Sequence, residues 1–162
     1  MEAPAKILDI IANGYSVPFV KGELPPPAFV ENNKSALEHS DFFLSELLRL
    51  ERIGAISRIF YRPRITLPCS VVYSNKWRLV CDASRHINPY VVKNPTSLDS
   101  LSSVEQFSRP GDFMTKQDLS SGYFHTSLRE SMRDNFGVHF RFPSGEIWYW
   151  LLLTPPTIRI GI

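Results

Sequence analysis

Asp118 is the residue whose type and setting point most directly to chemistry. It follows a predicted short strand at 113–117 and precedes the small residues Ser120, Ser121 and Gly122. A carboxylate at a strand end, with small neighbours, leaves room for a ligand and can bind Mg²⁺, which completes its shell with water and phosphate oxygens. Nucleotidyl transfer uses two such ions about 3.5–4 Å apart, and one aspartate cannot hold both. On composition alone, a simpler role is favoured, in which Asp118 caps the turn at Ser120 and Ser121.

Arg78 is a second candidate for ligand binding. It lies in the second of two β-rich stretches, 70–73 and 77–81, which a short polar turn joins into a predicted hairpin. An arginine offers a planar set of N–H donors for a phosphate, and the neighbouring Trp77 offers an aromatic face for a base. Pairing of Arg78 with Asp82 on an exposed strand face is an equally good interpretation at this point.

Basic residues are concentrated in the middle of the chain. The net charge is only +2, but residues 49–93 hold nine basic side chains against two acidic ones, whereas 1–48 and 94–162 are net acidic. Clustered Lys and Arg gain free energy by displacing counterions from phosphates. This predicts a nucleotide or nucleic-acid partner, with a solvated basic face as the alternative. The candidate nucleic-acid-binding residues are Arg58, Arg62, Arg64, Arg85 and Lys93.

Other chemistries find less support in the sequence. Cys69 and Cys81 show neither a disulfide framework nor a metal-type spacing, which fits an intracellular setting, cytoplasm or nucleus. The longest apolar run, 147–153, is too short to cross a membrane, so a soluble protein is expected. Its aromatic residues are expected to pack in a sheet. Four histidines lack metal-ligand spacing and are expected to be surface or local-packing residues: His39, His86, His125 and His139.

The predicted elements indicate an α+β fold with a mostly antiparallel sheet. The clearest helix has Ser40 as its cap, an apolar stripe, and Gly54 to end it in a left-handed conformation. A weak helix is predicted within 94–107, and a last hairpin pairs 138–142 with 147–153. Ahead of these, a proline-containing segment at 15–29 should be extended and poorly packed.

Taken in order, four stretches resemble the reverse transcriptase of a retrotransposon, of the DIRS-like or Ty3/gypsy-like type. Residues 31–56 resemble the start of the fingers, and 76–88, beginning Lys-Trp-Arg-Leu-Val, resemble a fingers motif that ends in Asn. Residues 113–128, around Asp-Leu-Ser-Ser-Gly-Tyr, are similar to the first palm motif. Phe-Gly-Val at 136–138, with the following Tyr-Trp, resembles the next hairpin.

The resemblance implies part of a right-hand polymerase that performs RNA-directed DNA polymerisation. Residues 1–29 would be an arm, 30–112 the fingers-like part, 113–153 the first part of the palm, and 154–162 a non-matching tail. In the intact family member, the primer 3′-OH attacks the α-phosphate of a dNTP on an RNA or DNA template, with two Mg²⁺ ions bound.

The resemblance also implies residue roles. Asp118 corresponds to the palm aspartate that binds both metal ions, and the Leu119 carbonyl helps hold one of them. Arg78 corresponds to the arginine that contacts the triphosphate and the base, and Tyr123 to the aromatic that screens out a 2′-hydroxyl. Three further nucleotide-binding candidates are Ser121, Gly122 and Lys76.

The chain departs from the family pattern after residue 153. The family continues there with a Leu-Pro-Phe-Gly-like turn and a Tyr-x-Asp-Asp hairpin, whereas this chain reads Thr-Pro-Pro-Thr and ends at Ile162. We therefore expect an N-terminal fragment that is inactive alone, because one of three metal-binding carboxylates is present. A non-catalytic nucleic-acid-binding remnant using residues 49–93 is the alternative, and an unrelated α+β interaction domain is a third.

Overall fold

A computed structural model describes residues 5–93, 108–113, 115 and 126–155. The helices are α1 (Ala5–Asn13), α2 (Lys34–Glu38) and α3 (Ser40–Arg52), with 3₁₀ turns at Val20–Gly22, Asn88–Tyr90 and Glu130–Asn135. The strands are β1 (Ala28–Phe29), β2 (Ile56–Ile59), β3 (Ile65–Thr66), β4 (Cys69–Tyr73), β5 (Trp77–Cys81), β6 (Gly137–Arg141) and β7 (Ile147–Leu152).

The described residues form an α+β fold, as the sequence predicts. Five strands make one sheet in the order β1-β3-β6-β7-β2, and β4 and β5 form a separate hairpin. The sheet is mixed: β6 pairs antiparallel with β7, and β7 with β2, but β3 pairs parallel with both β1 and β6. The parallel ladders are short and join segments that are distant in the chain. Sequence patterns that mark hairpins give no signal for such pairings.

Helix α3 confirms the clearest predicted helix. Phe43 and Leu47 are buried on its apolar stripe, and Gly54 adopts a φ of +73°, the left-handed conformation expected after a helix end. The predicted cap is wrong. Ser40 is the first helical residue, and His39 occupies the capping position without a side-chain hydrogen bond. The other end of α3 is tied to the sheet, because Trp150 Nε1 donates a hydrogen bond to Glu51 Oε2 over 2.9 Å.

The segment before β1 packs better than its prolines suggest. Val17 and Phe19 are 2% and 7% exposed and belong to the hydrophobic core. Tyr15 forms a parallel bridge with Leu128, and Phe19 an antiparallel bridge with Val91. Tyr15, Val17 and Phe19 share one side of extended backbone, since alternate residues point the same way. The expectation of poor packing is therefore wrong for this part of the segment.

Strand β6 lies in the middle of the sheet, between β3 and β7. Its first four residues are buried, which positions His139 in the interior between Val138 and Phe140. At its start Gly137 lies against Pro63, where an added Cβ would come within 2.2 Å of the proline Cγ. The same Cβ would lie 2.8 Å from the Ile65 carbonyl oxygen, so the close approach of the proline ring and of this backbone group explains why glycine occupies the position.

Several predicted features are not among the described residues. The helix within 94–107 and the turn at 120–122 lie outside them entirely, as does most of the strand at 113–117. Phe113 and Thr115 are described and lie in no strand. No helix in the described part of the chain combines the length and the apolar character needed to span a bilayer.

Candidate nucleotide and nucleic-acid interface

The hairpin of β4 and β5 confirms the predicted strands and turn. Its register pairs Tyr73 with Trp77 at the tip and Cys69 with Cys81 at the base. Side chains alternate along β5 as predicted: Leu79 and Cys81 pack against the core, whereas Arg78 and Val80 are exposed. One face of β5 therefore holds the hairpin on the domain, and the other is open to a ligand.

Arg78 lies on the open face of the hairpin. Its Nη2 donates a weak hydrogen bond to Asn75 Oδ1 at 3.4 Å, and it forms no ion pair with Asp82. Asp82 is occupied instead by the backbone N–H of Ser84 at 2.8 Å. Hydrogen bonds from Ser84, helped by Arg85 and His86, lower the pKa of Asp82. As far as the described residues go, the Arg78 guanidinium thus keeps most of its donors available to an anion.

Trp77 does not provide a stacking face beside Arg78. Neighbouring residues of a strand point to opposite sides, and the Trp77 ring lies 4.5 Å from the His39 ring and 5.0 Å from the Tyr73 ring. Phe42, at the start of α3, also lies 6.1 Å from Trp77. These aromatic contacts anchor the hairpin tip to the helices. Trp77 and Arg78 are adjacent in the sequence, but within the hairpin they do not form a joint site of guanidinium and aromatic ring.

Three predicted nucleic-acid-binding arginines make contacts within the fold. The Arg58 guanidinium carbon lies 3.3 Å from the centre of a Trp148 ring, and that of Arg62 lies 4.7 Å from Phe29. Arg64 Nη2 donates a hydrogen bond of 2.8 Å to the Pro25 carbonyl oxygen. Stacking covers the face of a guanidinium but leaves its edge donors free for a phosphate. Arg58 and Arg62 therefore remain candidates, whereas Arg64 is partly committed to the fold.

The remaining basic candidates are exposed. Lys76 lies in the turn at the hairpin tip, and Arg85 and Lys93 lie in the segment that follows β5. The structure thus brings Lys76 and Arg78 into one hairpin and carries Arg58 on β2, an edge strand of the other sheet. The candidate interface is spread over separate elements.

A cluster of charged and polar side chains at β6 was not predicted from the sequence. Glu31 Oε1 accepts a hydrogen bond from Arg141 Nη2 at 2.7 Å, and Glu31 Oε2 lies 3.3 Å from His139 Nε2. Burial opposes ionisation of Glu31, but its hydrogen bonds outweigh this and lower its pKa. Burial lowers the pKa of His139, and Glu31 opposes that effect only in part. In the sequence, His139 is an isolated histidine in an apolar strand. Such a pattern indicates a packing residue, and the burial of His139 agrees with that prediction.

The two predicted metal-binding residues and three of the predicted nucleotide-binding residues lie outside the described part of the chain. These are Asp118, Leu119, Ser121, Gly122 and Tyr123. No group of three or more potential metal-binding side chains occurs within residues 5–93, 108–113, 115 and 126–155. Since Asp118 is not among those residues, this finding does not bear on Mg²⁺ binding.

A half-open cleft of about 340 Å³ lies elsewhere on the molecule. It is formed between the helices and β6, with Asp41, Phe43 and Phe140 among its lining residues. Lys76 and Arg78, the predicted nucleotide-binding residues that the structure describes, do not line it. The cleft is therefore separate from the candidate interface.

The class defined by the described residues is an α+β protein with a mixed five-stranded sheet and an attached basic hairpin. Comparison with known protein families finds no family model that matches the chain, and comparison with curated proteins finds no significant relative.

Proposed function

We propose that the chain is the fingers and first palm part of a retroelement reverse transcriptase, an RNA-directed DNA polymerase. Two things support the proposal. Four stretches resemble that family in the expected order, and the hairpin that carries the fingers motif presents an exposed Arg78 that pairs with no acidic side chain of the described residues. The exposed Arg78 is the observation that carries the proposal, because an arginine already paired with Asp82 would have little capacity left for a triphosphate.

Arg78 would bind the triphosphate of a dNTP through its planar fork, since two parallel N–H donors match two phosphate oxygens. Lys76, as a point charge in the adjacent turn, would add attraction without fixing orientation. Asp118 and the Leu119 carbonyl would hold Mg²⁺, which supplies charge neutralisation during nucleotidyl transfer. Tyr123, with Ser121 and Gly122, would complete the sugar-binding floor.

Binding of a Mg²⁺–dNTP to the chain tests the role of Arg78. Arg78→Ala is expected to weaken binding by about tenfold or more, because a charge-assisted hydrogen bond is worth about 1.5–3 kcal/mol. Arg52→Ala is the matched control, since it removes the same charge from an exposed site at the end of α3. Titration calorimetry would measure both affinities. An equal loss of affinity in the two variants would show that only the net charge matters, and it would contradict a specific contact of Arg78 with the nucleotide.

The proposed role of Asp118 predicts a metal-dependent effect. In the unmodified chain, Mg²⁺ should strengthen dNTP binding, and in Asp118→Asn this strengthening should be lost because the amide oxygen is a weaker ligand for a hard cation. Binding measured with and without Mg²⁺ gives the comparison. Arg78→Ala serves as the control, since it should weaken binding while preserving a response to Mg²⁺. An unchanged Mg²⁺ response in Asp118→Asn would refute the metal role.

A non-catalytic nucleic-acid-binding remnant is the second candidate. The exposure of Lys76, Arg78, Arg85 and Lys93 favours it, because these side chains can reach phosphates without any metal centre. It differs from the first candidate in needing neither dNTP specificity nor Mg²⁺. The Asp118→Asn variant would leave its function intact.

A further inference from the structure

Cys69 and Cys81 face each other at the base of the β4–β5 hairpin. They are register partners, and their sulfur atoms are 3.5 Å apart with both thiols free. Cys69 is fully buried, whereas Cys81 is partly accessible. Two strands thus hold a buried thiol and a reachable thiol at contact distance.

The backbone hydrogen bonds identify the type of this pair. The Asp82 N–H donates a hydrogen bond of 2.9 Å to the Pro68 carbonyl oxygen. Pro68 and Asp82, the next pair away from the turn, are therefore a hydrogen-bonded pair. The Cys69 N–H and C=O point away from β5, toward Asn32 Oδ1 and the Asn33 N–H, at 2.9 and 3.0 Å. Cys69 and Cys81 therefore form a non-hydrogen-bonded pair, in which the Cα atoms are about 4.5 Å apart and the side chains are closest. That separation lies inside the range that a disulfide can bridge.

We infer that Cys69 and Cys81 are a redox-modification site, at which a peroxide converts the two thiols into an intrachain disulfide. The chemistry balances in two steps. The Cys81 sulfur attacks one peroxide oxygen, the O–O bond breaks, and Cys81 sulfenic acid and one water form. The Cys69 sulfur then attacks the Cys81 sulfur, the S–O bond breaks, and the hydroxyl leaves with the Cys69 proton as a second water. Two thiols are oxidised and one hydrogen peroxide is reduced.

The order of the steps follows from the two environments. Cys81 is the thiol that solvent oxidants can reach. The hydrogen bond with Cys81 and complete burial raise the pKa of Cys69, so that Cys69 stays protonated and does not react first. Burial also leaves no room for a glutathione adduct on Cys69. The resulting crosslink would join the two strands of the hairpin whose turn holds Lys76 and whose second strand holds Arg78, at the end of the hairpin furthest from those residues. The inference does not depend on the proposed polymerase function.

Oxidation of the reduced full chain with stoichiometric hydrogen peroxide tests the inference. The expected product is a monomer whose mass has fallen by two hydrogen atoms, with a peptide linking Cys69 to Cys81 and with both thiols restored by reductant. Cys81→Ser is the control, because it removes the reachable thiol and should leave Cys69 reduced. Recovery mainly of sulfinic acid, or of disulfide-linked dimers, would overturn the inference.

A second measurement uses the wild-type chain and needs no variant to fold. Equilibration with reduced and oxidised glutathione gives the effective concentration of the two thiols for each other. This value is expected to be at least about tenfold higher in the folded chain than in urea, because the hairpin holds the sulfur atoms together. An equal or lower value in the folded chain, or a stable glutathione adduct on Cys81, would contradict a poised pair.

Discussion

His139 shows how burial sets the protonation of a single residue. The side chain is fully buried, its ring lies 4.8 Å from Phe29, and its Nδ1 has no hydrogen-bond partner among the described residues. A charged imidazolium at this position would lose most of its hydration, and the single contact with Glu31 at 3.3 Å is too long to compensate fully. His139 is therefore neutral in the folded state at neutral pH.

The lowered pKa of His139 predicts a pH-dependent stability. As pH falls below about 6.5, the unfolded chain takes up a proton that folded His139 does not, so the free energy of unfolding decreases. The loss is at most about 1.4 kcal/mol per pH unit for one proton and ends once the pH reaches the lower folded pKa. Urea unfolding at pH 7 and pH 5.5 would measure it.

His139→Phe provides the comparison, since it keeps an aromatic ring against Phe29 and removes the titrating group. Its stability should change less between pH 7 and 5.5 than that of the wild type. Glu31 does not interfere in this window, because its pKa is lowered from 4.5 and its contribution is lost only at more acidic pH. Identical pH dependence in the two proteins would show that His139 is not the source.

At the scale of elements, Asn32 connects the hairpin to the main sheet. Its Nδ2 donates a hydrogen bond of 2.9 Å to the His139 carbonyl in β6, and its Oδ1 accepts one of 2.9 Å from the Cys69 N–H in β4. Asn32 is buried, so neither backbone group has water as a substitute. The Asn32 side chain thus provides a hydrogen-bond partner for one backbone group on each of two strands that do not pair with each other.

Replacing Asn32 is expected to weaken the whole fold. Asn32→Ala should lower the free energy of unfolding by about 2–4 kcal/mol, because two hydrogen bonds are lost and two buried backbone groups are left without partners. Denaturant unfolding would measure the loss. Asn33→Ala is the matched control: Asn33 is exposed, its side chain bonds to Ser70 Oγ at 2.7 Å, and its loss should cost less than about 1 kcal/mol. Similar losses in both variants would contradict the connecting role of Asn32.

At the scale of the whole molecule, the charge is uneven although the net charge is small. The segment 49–93 is strongly basic, and the structure places its side chains on the hairpin, on β2 and in the segment after β5. Some of these side chains are stacked on aromatic rings and others are exposed. A polyanion that contacts several of these elements would release one counterion for each phosphate neutralised.

The salt dependence of nucleic-acid binding is therefore expected to show whether the basic segment binds a polyanion or is only a solvated surface. If about five phosphates are neutralised, the logarithm of the association constant for single-stranded RNA or DNA should fall with log salt at a slope of about −4 to −5. Fluorescence anisotropy at several salt concentrations gives the slope. Arg78→Ala should make it shallower by about one if Arg78 contacts a phosphate. A flat response would remove the nucleic-acid-binding remnant from consideration.

Local patterns in the sequence correctly predicted the elements whose stabilising signals lie within a few residues. Helix α3 follows from its apolar periodicity and Gly54, and the two hairpins follow from β-rich runs around short turns. The exposure of Arg78 follows from the alternation of side chains along β5. For each of these, the partner segment is adjacent in the chain, so the pairing can be read from one stretch.

Long-range packing determined the rest. The parallel pairing of β1 with β3, and of β3 with β6, the burial of Val17 and Phe19, and the interior position of His139 all depend on segments distant in the chain. No short pattern specifies such partners, because a strand of two residues carries too little information to select one edge over another. The Cys69–Cys81 pair combines both levels: the turn sets the register, and packing against the core buries one sulfur while leaving the other within reach of solvent.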